Sequence, residues 1–157
     1  MKSRTDDLSP SADNRGAEVS MGVGLLTWNR VSSVGVRAMD QQHGVLMDTL
    51  HDLRQAVVQG AGRERVTREL GRLLEFTRQH FLSEERLLEQ MSFPTLEQHR
   101  EAHARLLEQL QNLLERATHG NGAQMQAAAV APREWFVDHI EQMDANYGDW
   151  LNERGIV

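Results

Sequence analysis

The sequence predicts an all-α protein, an antiparallel up-down-up-down four-helix bundle behind a disordered N-terminal extension. Three observations predict it. Four segments carry apolar residues at alternating steps of three and four, the period of a helix with one buried face. Short runs containing Gly or Pro separate the segments, and short connections imply antiparallel neighbours. No stretch alternates apolar and polar residues as a half-buried strand would.

The first helix follows an extended lead-in, Leu25-Leu26-Thr27-Trp28, and a break at Gly35. Its stripe reads Met39, His43, Leu46, Leu50, Leu53, Val57, and Gly60 and Gly62 end it. The second reads Val66, Leu70, Leu73, Thr77, His80, Glu84, Leu87, Met91. Ser92-Phe93-Pro94-Thr95 stops it, because proline disfavours helical geometry at the residue before it. Thr95 is the expected N-cap of the third helix, whose stripe is Leu96, His99, His103, Leu106, Leu110, Leu113, Ala117. A loop is expected over 119–122. The fourth stripe is less regular: Trp135, His139, Met143, Tyr147, Leu151, flanked by Phe136 and Ile140. Pro132 costs about 3 kcal/mol inside a helix. Two readings are open: the helix starts near Pro132, or a longer helix kinks there. The lengths of the second and third helices favour the longer, kinked one.

One bundle domain over 25–152 is therefore expected, with a disordered extension over 1–24 and a short tail over 153–157. Residues 1–20 are rich in Ser, Asp, Gly and Asn and nearly lack large apolar side chains. Met21, just before the first apolar cluster, is a candidate true start.

The chain of 157 residues is long enough for one domain with a real core. A net charge of −6 gives no reason to expect nucleic acid or an anionic membrane as partner. No stretch is long and apolar enough to span a bilayer, and no hydrophobic region follows the basic start as in a signal peptide. The absence of cysteine excludes disulfides, thiolate metal sites and iron–sulfur clusters, and it fits a reducing cytoplasm, the expected compartment.

Seven polar residues occupy these apolar stripes: His43, His80, Glu84, His99, His103, His139 and Asp144. One histidine on an apolar face is usually a satisfied core residue, and an H-x-x-x-E pair is usually an exposed contact. Here all four helices contribute, and buried imidazoles and carboxylates are costly unless something pairs them. The joint pattern points to a metal centre. His80 with Glu84, and His99 with His103, are i, i+4 pairs on one face. His139 and Asp144 do not fit, because five residues turn an ideal helix by about 140°. Three explanations are open: Asp144 reaches across the bundle, a π-bulge lies between the two, or Asp144 is a surface residue. His51 and His119 lie off the stripes and are expected to be surface histidines.

Five imidazoles and two carboxylates exceed what one tetrahedral zinc takes and suit two bridged ions. The donor set fits iron ahead of manganese, cobalt or zinc. Ferritin-like di-iron bundles use E-x-x-H pairs and more glutamates. Fewer carboxylates leave less negative charge on the irons, so the diferric state is less favoured and oxygen can leave again.

The chain resembles the hemerythrins, in particular the single-domain bacterial kind, over about residues 25–150. The motifs that carry the resemblance are Trp28, Asp40-Gln41-Gln42-His43, His80-Phe81-Leu82-Ser83-Glu84-Glu85, Phe93-Pro94 followed by His99 and His103, and Trp135-Phe136-Val137-Asp138-His139-Ile140 followed by Asp144 and Tyr147. The resemblance implies two non-haem iron ions with an oxo or hydroxo bridge and dioxygen as reversible ligand. His99, His103 and His139 would fill one iron. His43 and His80 would hold the second and leave it an open position, with Glu84 and Asp144, now read as a ligand, bridging both. Leu46, Phe81, Leu88, Trp135, Phe136 and Ile140 would line the pocket and exclude water. Leu88 stands where bacterial members often carry methionine, and Pro132 departs from the usual continuous fourth helix. The leading expectation is oxygen storage, delivery or buffering rather than catalysis. An oxygen or redox sensor, and an oxidase, peroxidase or nitric-oxide-handling protein on the same centre, are the alternatives. Iron storage is disfavoured by the lack of extra inward carboxylates.

Overall fold

A computed structural model describes residues 33–157. The Leu25–Trp28 lead-in, the expected disorder over 1–24 and the question of Met21 lie outside the described residues. Helices α1 (Arg37–Val58), α2 (Arg63–Gln90) and α3 (Leu96–His119) are followed by a fourth arm in three continuous parts. These are α4 (Gly122–His139), a π-helical turn (Ile140–Asp144) and α5 (Ala145–Asn152). α1 packs against α2 and the fourth arm, and α3 packs against the same two, so α1 and α3 lie opposite each other in a ring. No helix among the described residues is long and apolar enough to cross a membrane.

The antiparallel order explains why seven polar residues scattered over a hundred positions meet. His43 lies near the start of α1, His80 and Glu84 near the end of α2, His99 and His103 near the start of α3, and His139 and Asp144 towards the end of the fourth arm. Alternating start and end in an up-down bundle brings all of them to one end. The opposite end is filled by Leu53, Val57, Val66, Leu70, Leu73, Leu110, Leu113 and Ala117, all buried. Each large aliphatic chain there stabilises the fold by about 1.5–3 kcal/mol. This apolar end sets the register that holds the polar end together.

The stripes of α1 and α3 are buried as expected. In α2 the stripe drifts at its end: Leu88 is fully buried, while Leu87 and Met91 are only partly so. An ideal helix drifts about 20° per heptad against a 3.5-residue repeat, which moves the last inward position from 87 to 88. Thr77, the one neutral polar residue in that stripe, donates its hydroxyl to the Leu73 carbonyl at 2.7 Å. The fourth arm needs a larger correction. Its buried line is Ala128, Pro132, Phe136, His139, Ile140, Asp144, Tyr147 and Leu151, whereas Trp135 and Met143 are half-buried. α4 is long, as expected, and runs through Pro132, which is buried on the same line as Ala128 and Phe136.

The connections also differ from the sequence reading. Thr95 precedes α3, but its side chain makes no capping bond. The loop expected over 119–122 is shorter: His119 ends α3 and Gly122 starts α4. Asn121 supplies a capping box there, accepting from Ala123 and Gln124 while the Gln124 side chain accepts from the Asn121 N–H at 2.7 Å. At the other end, Gly148 lets Val34 dock on α5. A Cβ at Gly148 would lie 2.5 Å from the Val34 carbonyl oxygen. Asp40 receives the Val34 N–H at 2.7 Å, and Asn152 donates to the Val34 carbonyl at 3.2 Å.

α2 ends in a Schellman motif: Phe93 N–H bonds to Leu88 O at 2.9 Å and Ser92 N–H to Glu89 O at 3.0 Å. This places Ser92 at φ 58°, in the left-handed region. A side chain there costs roughly 1–2 kcal/mol, part of which glycine recovers against its larger unfolded-state entropy. Ser92→Gly is expected to stabilise the fold by about 0.5–1 kcal/mol, read as a higher melting temperature. A lower one would show that the Ser92 side chain has a stabilising role of its own.

Candidate metal centre

All seven polar stripe residues are brought together and buried, each at most 7% exposed. The donor atoms fall into two groups that share both carboxylates. Glu84, His99, His103, His139 and Asp144 form one; His43, His80, Glu84 and Asp144 form the other, with donor atoms in each within 4.8 Å of one another.

The oxygens of each carboxylate divide between the groups. Glu84 Oε1 faces His99 Nε2 and His103 Nε2, the latter at 3.2 Å, while its Oε2 faces His80 Nε2 at 3.6 Å and His43 Nε2 at 4.0 Å. Asp144 Oδ1 faces His139 Nε2 at 3.1 Å and His99 Nε2 at 3.3 Å, and its Oδ2 faces His43 Nε2 at 3.3 Å. Three imidazoles therefore surround one pair of oxygens, and two surround the other.

The π turn makes this possible. Ala145 N–H bonds to the Ile140 carbonyl, five residues back. The wider turn brings residues five apart onto one face, and Asp144 joins His139 inside the bundle. Of the three explanations left open by the sequence, the π-bulge is the one the backbone adopts.

The fit to a metal is a matter of donors without partners. His103 Nε2, His139 Nε2 and both Asp144 oxygens are buried with no hydrogen-bond partner. Buried polar atoms are otherwise nearly always paired, and a cation shared by these atoms would satisfy them together. Oxygen and imidazole donors with no thiolate suit a first-row divalent ion.

Three residues not named as site residues from the sequence support the donors. Gln42 Oε1 lies 2.8 Å from His80 Nδ1. Glu85 Oε1 lies 2.7 Å from His103 Nδ1, and its other oxygen, Oε2, is approached by Arg100 Nε at 3.6 Å. Tyr147, fully buried, donates its hydroxyl to Glu84 Oε2 at 2.8 Å. Each stands within three residues of a candidate ligand in the quoted motifs; adjacency was the available signal, and it gives no partner. Of the residues expected to line a pocket, Leu46, Phe81, Leu88, Phe136 and Ile140 are buried. Phe81 stacks on the His103 ring with centroids 3.6 Å apart. Trp135 is half-buried and packs at the edge of the core.

Electrostatics follow from burial against pairing. Burial and the neighbouring Asp144 push the Glu84 carboxyl up, but the close His103 imidazole and the hydrogen bond with His99 prevail and hold it at about 2. Asp144 is likewise held well below the usual carboxylate range: its imidazole partners, His139 foremost, outweigh burial. Burial lowers His80 to about 4. Burial also pushes His99 down, but the close Asp144 carboxylate and the hydrogen bond to Glu84 outweigh it and raise this imidazole to about 9. Tyr147 is raised well above its ordinary value by burial and the two carboxylates, so it stays protonated and donates.

A model of the hemerythrin HHE cation binding domain matches residues 34–151. The bacteriohemerythrin of Methylococcus capsulatus is 26% identical over 129 residues, covering 82% of this chain and 98% of that relative. That of Ralstonia nicotianae is 27% identical over 131 residues, covering 83% and 92%. The crystal structure of wild-type hemerythrin superposes with a TM-score of 0.66 at 24% identity, over 74% of this chain and 88% of that one, a likeness of fold.

The raised His99 has a consequence for the metal-free protein. Below the unfolded pKa of about 6.5 its pairing stabilises the fold in full, and that contribution is lost as pH rises through about 9. The depressed His80 works on the other side: its contribution is lost as pH falls from 6.5 towards about 4. Metal-free protein is expected to melt highest near neutral pH. A metal must also displace the His99 proton, so zinc added at pH 7.5 is expected to release about one proton, fading as pH rises past 9. An indicator dye in weakly buffered solution reads it; absence of release at pH 7.5 would show that no His99 proton is displaced by the metal.

Proposed function

The chain belongs to the hemerythrin family, and from that premise we propose that it binds dioxygen reversibly, as store, carrier or buffer, at a carboxylate-bridged pair of iron ions. The observation that carries this reading is that each carboxylate divides its two oxygens between the groups, so that one pair of oxygens, one from each carboxylate, meets three imidazoles and the other pair meets two. His99, His103 and His139 would hold one iron, His43 and His80 the second, and Glu84 and Asp144 both. With one imidazole fewer, the second position is the one left open to a small ligand. Two ferrous ions there would supply the electrons by which dioxygen is held and released.

The side chains around the donors carry the rest. Leu46, Phe81, Leu88, Phe136 and Ile140, all buried and apolar, would line the pocket, with the half-buried Trp135 at its edge. Water and protons would thereby be kept from the bound gas, which favours its release unchanged. Tyr147 fixes the Glu84 carboxylate through its hydroxyl. The unit assigned to this function is 25–152, with 1–24 as an extension and 153–157 as a tail. Nitric oxide and peroxide are the other small ligands such a centre would take.

The test is anaerobic loading with ferrous iron, followed by cycles of oxygen addition and removal. About two irons per chain and a visible absorption band that appears with oxygen and vanishes without it are expected. Prompt, irreversible oxidation would move the assignment to a redox sensor or an oxidase, and fewer than about two irons per chain would sink the di-iron assignment. His80→Ala and His43→Ala are each expected to lose the second metal while the helical spectrum persists, because the apolar end of the bundle is untouched.

A further inference from the structure

Two of the candidate ligands hydrogen-bond through their outer nitrogens to acceptors of different charge. His80, in the two-imidazole group, meets the neutral Gln42 amide at 2.8 Å. His103, in the three-imidazole group, meets the Glu85 carboxylate at 2.7 Å. In both rings Nε2 faces the bridging carboxylates, so the Nδ1 contact decides which nitrogen carries the proton. An oxygen acceptor at Nδ1 holds the proton there and leaves the Nε2 lone pair for a metal. Gln42 must therefore present its oxygen to His80; its amide nitrogen would force the proton onto Nε2 and abolish the ligand.

Resting on the di-iron reading above, we propose that Gln42 and Glu85 are positioning residues that make the two metal positions electronically unequal. A carboxylate polarises the N–H more strongly than an amide does, so His103 is the richer donor and favours the higher oxidation state at its metal. His80, with a neutral partner, is the poorer donor and keeps the open position easier to reduce. Arg100, at 3.6 Å from Glu85 and 3.2 Å from Glu89, ties that carboxylate to the surface of α3 and α2. Gln42 is half-buried and adjoins His43 in sequence, so one turn of α1 supplies a ligand to the second position and orients another.

The test uses the isosteric exchanges Glu85→Gln and Gln42→Glu with the deletions Glu85→Ala and Gln42→Ala, on the full chain. Zinc affinity by chelator competition reads donor orientation without iron or oxygen. Glu85→Ala and Gln42→Ala, which remove the acceptor, are each expected to weaken zinc binding at one of the two positions about 10- to 100-fold, at unchanged helix content. Midpoint potentials of the iron-loaded protein read donor strength: Glu85→Gln raises its position's potential and Gln42→Glu lowers the other's. Unchanged zinc affinity in either alanine variant, or potentials that do not move in these opposite directions, would overturn the proposal. Failure of the di-iron reading itself is seen separately, as a low iron content in the unaltered protein.

Discussion

Two carboxylates buried at one end of the bundle, Glu84 and Asp144, set the terms for everything around them. Removing one such charge from water costs several kcal/mol unless it is paired and hydrogen-bonded. Neither can be relieved by protonation, since both are held below the ordinary carboxylate range by the imidazoles they face. The five histidines and Tyr147 answer that cost without a metal only in part, and the oxygens of Asp144 remain without hydrogen bonds. A pair of cations between the carboxylates would complete the pairing. The centre and the fold are thus one electrostatic problem, with metal binding adding to the stability of the folded state alone.

The cost is borne by the opposite end of the molecule. Leucines and valines of α1, α2 and α3 meet there with almost no exposure. Because those contacts hold the helices in register, side chains at the polar end are fixed by backbone geometry rather than by mutual attraction. Two i, i+4 pairs on α2 and α3 need only an ideal helix. The fourth arm needs an irregular one, and its π turn supplies the inward Asp144 that an ideal helix would place away from His139. Such a turn is weaker as a helix, and it persists where the bundle clasps both of its flanks. Phe136 and Ile140 pack into the core on one side of Asp144, and Tyr147 and Leu151 on the other.

The outer partners of the imidazoles complete the picture of a centre built in shells. Gln42, Glu85 and Tyr147 touch candidate ligands and contribute none of their own to either donor group. Gln42 and Glu85 bear on the tautomers of His80 and His103, and Tyr147 on the orientation of the Glu84 carboxylate. A site of this kind is specified by about ten side chains, and the seven inner ones alone would leave its chemistry open.

Much of this was legible in the amino-acid sequence because it depends on period. Helix positions, the buried faces of α1 and α3, and the seven polar residues on inward stripes all follow from the turn of a helix and the cost of burying polar groups. Where periodicity is perturbed, the sequence spoke less clearly. The drift from Leu87 to Leu88, the inward turn of Phe136 and Ile140 in place of Trp135 and Met143, and the choice among three accounts of Asp144 depend on how the arms pack. A single helix does not know which of two adjacent apolar residues its neighbours will accept. The same holds for Gln42 and Glu85, whose partners lie 38 and 18 residues away. Sequence by itself determined which residue types had to meet inside the bundle; tertiary structure decided which atoms meet, because register, a π turn and hydrogen-bond partners arise only when four helices share one core.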